Sequence, residues 1–467
     1  MNRIGHKAAR STGVLILAAG QGTRMESSIP KILHPVGGRP IIYYVLRVAN
    51  ALKPAAIGVV VGHEAEEVKK AILQIAKDCG ISRPLQFIEQ KKQLGSGNAV
   101  LESVPFLKKF SSAMVLCGDT PLLTYESLAS LHRGHEEHKA QATLLTARMG
   151  NPKGYGRIVR TATGDVLKIV EESVATPKEA AINEINSGAY CFEVAALLSG
   201  LSQIGAKGPK GEHFLTDILE LVRTKGGRII AHLSSNPEEA LGINTRVQLA
   251  AAERIINRRM LERLMLSGVT VVDPSSTHVD ADVEVGQDSI IEPFTILRGK
   301  TKVGSKCRVG PFCFIEDAQV GNECEVRTSQ LRGCRVLEKC VIGPYSNIRP
   351  ESVIGPRAKV GNFSEVKASR VGFGSKVPHL SYIGDTDIRE DVNVGAGSIT
   401  CNYDGKLKHK TTIEAKAFIG SGTMMVAPLR VGKGAVTGAG AVVTRDVPDG
   451  VTVVGVPAKP IVRGGGK

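Results

Sequence analysis

The chain has 467 residues, 42% hydrophobic residues and a formal net charge of +15, which predict two or more globular domains rather than one. There is no run of roughly 18 apolar residues, which excludes a conventional membrane-spanning helix, and residues 1–13 lack the apolar stretch of a signal peptide. The basic residues form no tract interleaved with aromatics, so we expect neither a nucleic-acid nor a membrane partner. The nine cysteines include no CxxC pair, which predicts a reducing, cytoplasmic location without a disulfide framework or zinc site.

The first feature in chain order is an apolar segment followed by a glycine loop. Residues 14–20, Val-Leu-Ile-Leu-Ala-Ala-Gly, predict a buried parallel strand that leads into Gly-Gln-Gly-Thr-Arg at 20–24. The glycines leave backbone N–H groups bare for phosphate oxygens, and Arg24 and Lys31 add cations nearby. The pattern indicates a triphosphate site, although a plain strand–turn–helix junction would carry the same glycines.

Helices and strands then alternate, which predicts an α/β domain. We expect helices over 40–52 and 64–77, strands over 56–61 and 113–117, and a second glycine turn at 94–99. Asp119 follows the last of these strands, where open α/β sheets bind their ligands. Its carboxylate suits a hard cation such as Mg²⁺, whereas the alternative is a cap on the next helix.

One long helix over 246–267 is predicted to connect the two parts of the chain. Its charged residues indicate a solvated face, and a nucleic-acid helix is the alternative that Glu253 and Glu262 disfavour. The predicted organisation is a flexible tail at 1–13, an α/β domain at 14–245, a helical linker at 246–270 and a repeat domain at 271–467.

The repeat domain carries an aliphatic residue at every sixth position. The ladder runs over 279–315, slips, resumes over 342–366 and returns over 413–443, and glycine often follows the ladder residue. A period of six predicts a triangular parallel β-helix with the aliphatics inside and glycines turning the corners. The repeat breaks at 400–412, which predicts an expelled polar loop beside the binding face.

His379 is a candidate base near this break. A general base must take a proton near neutral pH, which histidine can do. Glu365, about one coil earlier, could orient the imidazole. The alternative is a histidine with a purely structural role.

The motifs of the first half occur in the order found in sugar-nucleotide pyrophosphorylases, which this part of the chain resembles. They are Leu17-Ala18-Ala19-Gly20 with Pro30-Lys31, Gln90 and Gln93 before Leu94-Gly95-Ser96-Gly97, Gly118-Asp119, Gly154-Tyr155-Gly156-Arg157, Glu171, Asn186 and Gly242-Ile243-Asn244. With the hexapeptide repeat behind them, residues 14–460 resemble a bacterial family that joins an acetyltransferase to a uridyltransferase. The resemblance implies an N-terminal nucleotidyltransferase (Rossmann-like) domain and a C-terminal left-handed parallel β-helix.

The resemblance implies site residues in the first half. Uridine-nucleotide contacts fall on Leu17, Ala18, Ala19, Gly20, Lys31, Gln90, Gly95, Ser96 and Asn244, sugar contacts on Gly156, Glu171 and Asn186, and Mg²⁺ ligands on Asp119 and Asn244. Uridylyl transfer needs in-line positioning and hydrogen-bond donors, which Arg24 and Lys31 supply, rather than a protein nucleophile. Gln21 and Ser173 stand where many members have a cation.

The second half resembles the acetyltransferase part of the same family, through motifs that include His379-Leu380-Ser381-Tyr382 and Cys401-Asn402-Tyr403-Asp404-Gly405. The resemblance implies that His379 is the general base with Glu365 behind it. Sugar-phosphate contacts are implied at Arg349, Lys367, Tyr382, Asn393 and Lys408, and acetyl-CoA contacts at Ala396, Asn402, Tyr403, Ser421 and Ala439. Gly455 stands where some members have an arginine for CoA, which leaves Lys459 or Arg463 as substitutes.

The implied reactions acetylate glucosamine-1-phosphate with acetyl-CoA and then uridylylate N-acetylglucosamine-1-phosphate with UTP. The products are UDP-N-acetylglucosamine, a precursor for peptidoglycan and lipopolysaccharide, and pyrophosphate. Prisms of this kind usually trimerise, so a homotrimer is expected. The alternatives are a nucleotidyltransferase whose β-helix is structural or regulatory, which would not need the His379 cluster, and a non-catalytic scaffold, which would not need Lys31, Asp119 and Asn244.

Overall fold

A computed structural model describes residues 11–205 and 211–461. The chain forms two compact units, Met1–Ile255 and Ile256–Lys467. Residues 1–10 of the predicted tail lie outside the described residues, and Thr12 and Gly13, which the sequence assigns to that tail, belong to the first strand. Among the described helices, none is long and apolar enough to cross a membrane.

The first unit is an α/β domain in which helices and strands alternate. Its described strands are β1 Thr12–Leu17, β2 Pro35–Val36, β3 Arg39–Pro40, β4 Ala56–Val61, β5 Leu85–Glu89, β6 Ser112–Cys117, β7 Ala142–Arg148, β8 Arg157–Arg160, β9 Val166–Val170, β10 Glu184–Glu193 and β11 Ile229–Leu233. Its described helices are α1 Ile41–Ala51, α2 Ala65–Asp78, α3 Gly95–Glu102, α4 Val104–Leu107, α5 Tyr125–Glu137, α6 Pro177–Ala180, α7 Val194–Leu201 and α8 Asp217–Thr224. Helix α9, Arg246–Leu266, spans the boundary between the units.

A mixed sheet in the order β11-β7-β10-β6-β1-β4-β5 forms the centre of this unit. Strand β1 lies between β4 and β6 and runs parallel to both. Helices cover both faces of β1, so its run Val14–Ile16 is buried, as a continuous apolar strand requires. The carboxyl ends of β1 and β6 therefore meet at one edge of the sheet.

The second unit is a left-handed β-helix whose short strands form three faces and are parallel except for the last strand, Lys459–Pro460. Face 1 holds Thr270–Val271, Ile290–Ile291, Arg308–Val309, Glu325–Val326, Val341–Ile342, Lys359–Asn362, Lys376–His379, Asn393–Val394, Phe418–Ile419, Val436–Thr437, Thr452–Val454 and Lys459–Pro460. Face 2 holds His278–Val279, Ile296–Arg298, Phe314–Glu316, Gln330–Arg332, Asn347–Ile348, Glu365–Lys367, Tyr382–Gly384, Ile399–Cys401, Met424–Val426 and Val442–Val443. Face 3 holds Glu284–Val285, Lys302–Val303, Gln319–Val320, Arg335–Val336, Val353–Ile354, Arg370–Val371, Thr386–Ile388, Thr411–Ile413 and Leu429–Val431.

The aliphatic ladder fills the prism, as its period predicts. Ile291 pairs with Val309, and Val309 pairs with Val326, so one coil takes 18 residues and the next takes 17. The ladder therefore slips after Ile315 because the corners there are shorter, and the coil itself continues without interruption. Val320, the next inward residue, is buried like those before it.

Gly310 and Gly343, directly after ladder residues, have φ of 107° and 93°, as the sequence suggests, whereas Gly304 has a different role. Other corner residues in the left-handed region lie two or three places after the ladder residue, as at Asp288, Lys306 and Phe312 with φ of 62°, 58° and 55°. At Gly304, which follows Val303, φ is not positive. A Cβ there would lie 2.7 Å from the backbone N of Asn322 on the next coil. Glycine is thus needed at this position because adjacent coils approach closely.

The expelled loop is shorter than predicted. Residues 400–401 belong to a strand of face 2, and residues 411–412 belong to a strand of face 3. Thr400 and Thr411 point inward and are fully buried. The segment outside the coil is therefore 402–410.

Replacing Gly304 by alanine is expected to destabilise the β-helix, because the methyl group would push one coil from the next. Overpacking of this kind costs about 1–3 kcal/mol, and thermal unfolding would show the lower midpoint. In Gly134→Ala, the control in helix α5, the new Cβ has no neighbour within 4 Å, so stability is expected to be kept or raised. An unchanged midpoint for Gly304→Ala would contradict the close-approach role.

Candidate active sites

A cleft of about 530 Å³ opens at the carboxyl ends of β1 and β6 in the first unit. It is lined by the predicted nucleotide and metal residues Leu17, Ala18, Ala19, Gly20, Arg24, Lys31, Gln90, Gly95, Ser96, Asp119 and Asn244, together with Gln21, Gly22, Thr23, Ile32, Gln93, Ala99, Cys117 and Glu212. The location is the one at which open α/β sheets bind ligands.

The glycine loop allows Lys31 to enter this cleft. Gly22 has a φ of 65°, and a Cβ on it would lie 2.5 Å from the Cβ of Lys31. Only glycine accepts both the left-handed backbone and this approach without strain. The loop and the short helical turn Lys31–Leu33 are thereby packed together.

Lys31, Arg24, Asp119 and Asn244 meet at one point of the cleft. The Lys31 ammonium forms an ion pair with Asp119 and lies 3.2 Å from Asn244 Oδ1. Arg24 Nη2 donates to the same oxygen at 2.9 Å. The backbone N–H of Ile243 donates to the carbonyl oxygen of Asp119 at 2.9 Å, which ties the segment carrying Asn244 to the end of β6.

The donor set of Asp119 and Asn244 fits a hard divalent cation shared with phosphates. Both present oxygen atoms to one cationic group, the Lys31 ammonium. Mg²⁺ is commonly held by one or two carboxylates with substrate phosphates and water. Within 11–205 and 211–461, no cluster of three or more His, Cys, Asp or Glu side chains could hold a metal by itself.

The second glycine turn is held by contacts with its surroundings. Buried Gln90 donates to the Gly95 carbonyl at 3.1 Å and to Asn98 Oδ1 at 2.8 Å. Ser96 Oγ accepts from the backbone N–H of Leu215 at 3.1 Å. A Cβ on Gly95 would lie 2.7 Å from the His213 carbonyl oxygen, so the glycine allows segment 213–215 to close over the turn.

Gly156, Glu171 and Asn186, the predicted sugar contacts, form a separate group that does not line the cleft. The backbone N–H of Asn186 donates to the Gly156 carbonyl at 2.9 Å, and a Cβ on Gly156 would lie 3.4 Å from Glu171 Oε2. Burial raises the pKa of the Glu171 carboxyl, whereas a hydrogen bond from Thr216 lowers it. A half-buried acceptor beside a bare glycine suits a sugar hydroxyl.

His379 of the second unit begins a column of small residues at the corner between faces 1 and 2. The backbone N–H of Gly397, the residue after Ala396, donates to the His379 carbonyl at 3.3 Å. Gly422 N donates to the Ala396 carbonyl at 2.7 Å, and Gly440 N to the Ser421 carbonyl at 2.8 Å. His379, Ala396, Ser421 and Ala439 therefore follow one another on successive coils, the last three with side chains no larger than serine.

Glu365 is near this corner, but its partner is not the imidazole. Glu365 pairs in register with Tyr382, three residues after His379. Its carboxylate accepts from Arg349 Nη1 at 2.8 Å. Among the described residues, no side chain is hydrogen-bonded to the His379 ring, so the orienting role of Glu365 stays a prediction.

Most of the predicted sugar-phosphate residues lie together, with one exception. Lys367 and Tyr382 lie on face 2, and Lys408 approaches Lys367 closely enough that the Lys367 ammonium lowers the pKa of Lys408. Asn393 instead lies on face 1, beside Lys376 in register. The chain by itself does not bring Asn393 to the other four.

The expelled loop is folded around Asp404. The Asp404 carboxylate accepts from the backbone N–H of Leu407 at 2.7 Å, from Lys406 N–H at 2.8 Å, and contacts His409 Nε2 at 2.7 Å. The Leu407 N–H, the His409 ring and the Lys406 N–H hold the pKa of Asp404 well below its usual range. This loop carries Lys408 and the exposed Tyr403, whose hydroxyl donates to the Gly405 carbonyl at 2.6 Å.

Three polar residues at these sites were not predicted as site residues. Gln93 lines the cleft and donates to the Ala19 carbonyl at 2.9 Å. Glu212 lines the cleft from the segment that precedes helix α8. Asp385 accepts from Lys367 Nζ at 3.2 Å and also binds the Asn402 amide. For Asp385, the one available signal was its place six residues after His379.

Comparison with known proteins covers both units. A profile described as nucleotidyl transferase matches residues 13–235. The chain is 44% identical over 434 residues to the bifunctional protein GlmU of Syntrophomonas wolfei, which covers 93% of this chain and 95% of that protein. It is 46% identical over 441 residues to the bifunctional protein GlmU of Heliobacterium modesticaldum, 94% of each chain. A crystal structure of UDP-glucose pyrophosphorylase with UDP-glucose is similar to 53% of this chain, and 99% of that chain is covered, with 19% identity and a TM-score of 0.45.

Proposed function

Because this chain belongs to the GlmU family of bifunctional proteins, we propose that each of its two units carries one of the two activities at its own site. The enzyme acetylates glucosamine-1-phosphate with acetyl-CoA and uridylylates N-acetylglucosamine-1-phosphate with UTP, giving UDP-N-acetylglucosamine and pyrophosphate. The relatives align over both units, which disfavours a nucleotidyltransferase with a merely structural prism. The observation that carries the site assignment is the convergence of Lys31, Arg24, Asp119 and Asn244 in one cleft.

In the first unit, a phosphate oxygen of the sugar attacks the α-phosphorus of UTP. A new P–O bond forms as the bond to pyrophosphate breaks, and pyrophosphate leaves. Lys31 and Arg24 donate hydrogen bonds to the phosphate oxygens, where negative charge increases in the transition state. The glycine loop at 20–24 supplies further backbone N–H donors, so this step needs no protein nucleophile.

Asp119 and Asn244 would hold Mg²⁺ in this reaction. When bound, the metal neutralises phosphate charge and favours departure of pyrophosphate. The support is the pair of oxygen donors already directed at one cation, the Lys31 ammonium. Glu171, Asn186 and Gly156 would bind the sugar hydroxyls beyond the phosphates.

In the second unit, His379 acts as the general base. The imidazole takes a proton from the substrate nitrogen as that nitrogen bonds to the acetyl carbonyl carbon. The carbon–sulfur bond then breaks, and the proton passes to the leaving CoA sulfur. The column Ala396, Ser421 and Ala439 leaves room for the arm of CoA along the corner that His379 begins. Arg349, Lys367 and Lys408 would bind the sugar phosphate, and Asn402 and Tyr403 would flank the acetyl group.

A homotrimer would complete the acetyltransferase site. The corner between faces 1 and 2 carries an exposed apolar stripe: Phe294, Phe312, Tyr345, Phe363 and Leu380, each 55% to 62% exposed and each in the left-handed region with φ from 49° to 59°. A bulky residue in that region costs about 1–2 kcal/mol, and exposed apolar side chains grouped in this way mark a protein–protein interaction surface. A second copy covering this stripe would bring its own face 1, with Asn393, towards the sugar phosphate.

We place the enzyme in the cytoplasm. All nine cysteines are free thiols, as in a reducing compartment. Its substrates are small molecules, and its product would feed peptidoglycan and lipopolysaccharide synthesis there.

Substituting one site at a time is expected to separate the two activities. His379→Ala should lower acetyl transfer about 100-fold or more through loss of the base, with uridylyl transfer unchanged. Asp119→Ala should lower uridylyl transfer about 100- to 1,000-fold through loss of charge stabilisation, with acetyl transfer unchanged. Separate assays of CoA thiol and pyrophosphate measure the two rates. Equal loss of both activities in either variant would refute the two-site assignment.

Charges placed on the apolar stripe are expected to dissociate the trimer. Phe294→Glu with Phe312→Glu should give monomers by light scattering, with acetyl transfer lost and uridylyl transfer kept. Phe373→Glu is the matched control, since Phe373 is 47% exposed but lies at the corner between faces 3 and 1. A parent protein that is itself monomeric and active in acetyl transfer would exclude the trimer.

A further inference from the structure

Asp385 occupies the centre of the acetyltransferase cluster. It follows the face 2 strand Tyr382–Gly384 directly and has a φ of 51°. One oxygen, Oδ2, accepts from Lys367 Nζ at 3.2 Å and from the Asn402 amide nitrogen. Lys367 belongs to the proposed phosphate subsite, whereas Asn402 belongs to the acetyl subsite. A single carboxylate oxygen therefore links the two ends of the site.

The surroundings of Asp385 are tightly packed. The side chains of Asp385 and Lys367 are each 18% exposed, and Asn402 is buried. A Cβ on Gly384 would lie 2.5 Å from the Tyr382 hydroxyl and 2.8 Å from the Asn402 amide nitrogen. The hydroxyl and the amide thus lie close together over a bare glycine, and little solvent can replace a lost partner of either group.

Asp385 also balances the positive charge of this cluster. Lys367 and Arg349 both lower the pKa of Lys408, whereas Asp385 raises it. On its own loop, Lys408 is flanked by His409, which is paired with Asp404. Removing the Asp385 charge would therefore make Lys408 lose its proton at a lower pH.

We propose that Asp385 is a positioning residue for acetyl transfer: its carboxylate fixes the Lys367 ammonium and the Asn402 amide relative to each other, so that the phosphate and the acetyl-accepting nitrogen of one sugar are aligned together. The proposal rests on the acetyltransferase function given above. Asp385 would act through Lys367 and Asn402, because its carboxylate neither transfers the proton nor contacts a phosphate oxygen. Because preorganised geometry raises reaction rates, misplacement of about 1 Å can cost on the order of 100-fold.

The test uses the full-length protein with Asp385→Asn. Asparagine is tolerated in the left-handed region, keeps the size of the side chain and removes the charge. Asp391→Asn is the matched control, since Asp391 is an exposed corner residue with a φ of 59° on the same coil. Uridylyl transfer in the same preparations reports on the integrity of the chain.

Asp385→Asn is expected to lower kcat/KM for glucosamine-1-phosphate about 100-fold, with uridylyl transfer within about twofold of the parent. The KM for the sugar phosphate should also begin its alkaline rise at a lower pH, because Lys408 loses its charge earlier. Asp385→Glu should return that rise towards the parent pH, since it restores the carboxylate. A merely structural role would leave the pH of the rise unmoved.

Parent-like acetyl transfer by Asp385→Asn would overturn the inference while leaving the proposed function intact. An equal loss of acetyl transfer in Asp391→Asn would also overturn the inference. So would an alkaline rise in the KM for the sugar phosphate that begins at the same pH in Asp385→Asn as in the parent. A parent protein without acetyl transfer would overturn the proposed function, and this inference with it.

Discussion

The second unit depends on one constraint, the register in which each coil stacks on the next. Each coil hydrogen-bonds to the next through its backbone, so residues at equivalent positions stack in columns. The inward columns hold the prism together. In the proposed acetyltransferase site the corner columns supply the functional residues, since His379 and Ala396 are consecutive members of one of them. The glycines make this register possible because they allow adjacent backbones to approach.

In the first unit, the ends of parallel strands align the site residues, as the stacked columns do in the second unit. Parallel strands β1 and β6 end at one edge, so that the glycine loop and Asp119 lie side by side although they are far apart in the chain. Tertiary contacts then add the remaining groups. Gly22 lets Lys31 approach the loop closely, and the Asp119 carbonyl accepts a hydrogen bond from Ile243, which positions the neighbouring Asn244. Both sites consist of side chains fixed by backbone geometry, which suits reactions that depend on orientation and charge more than on a protein nucleophile.

The sequence predicts the two folds well because each rests on a local period. Alternating helices and strands indicate the α/β unit, and the six-residue ladder indicates the prism. Contacts between coils are harder to predict from the sequence. Corners of unequal length change the coil from 18 residues to 17 and 16, so neighbours on adjacent coils cannot be counted from a fixed spacing. For this reason the spacing does not reveal the contacts of Asp385 with Lys367 and Asn402 or the contact of Glu365 with Arg349. The orienting role of Glu365 at His379 stays a prediction. The ends of the loop at 402–410 were misplaced because threonines can also fill inward positions.

The proposed function requires one chain to carry out two reactions in a fixed order. The most direct test mixes the purified protein with glucosamine-1-phosphate, UTP and Mg²⁺, then adds acetyl-CoA and follows CoA thiol and pyrophosphate in the same sample. We predict little pyrophosphate before the addition, then immediate release of thiol and a lag before pyrophosphate appears. Pyrophosphate release at full rate from glucosamine-1-phosphate without acetyl-CoA, or thiol release that no pyrophosphate follows, would contradict it.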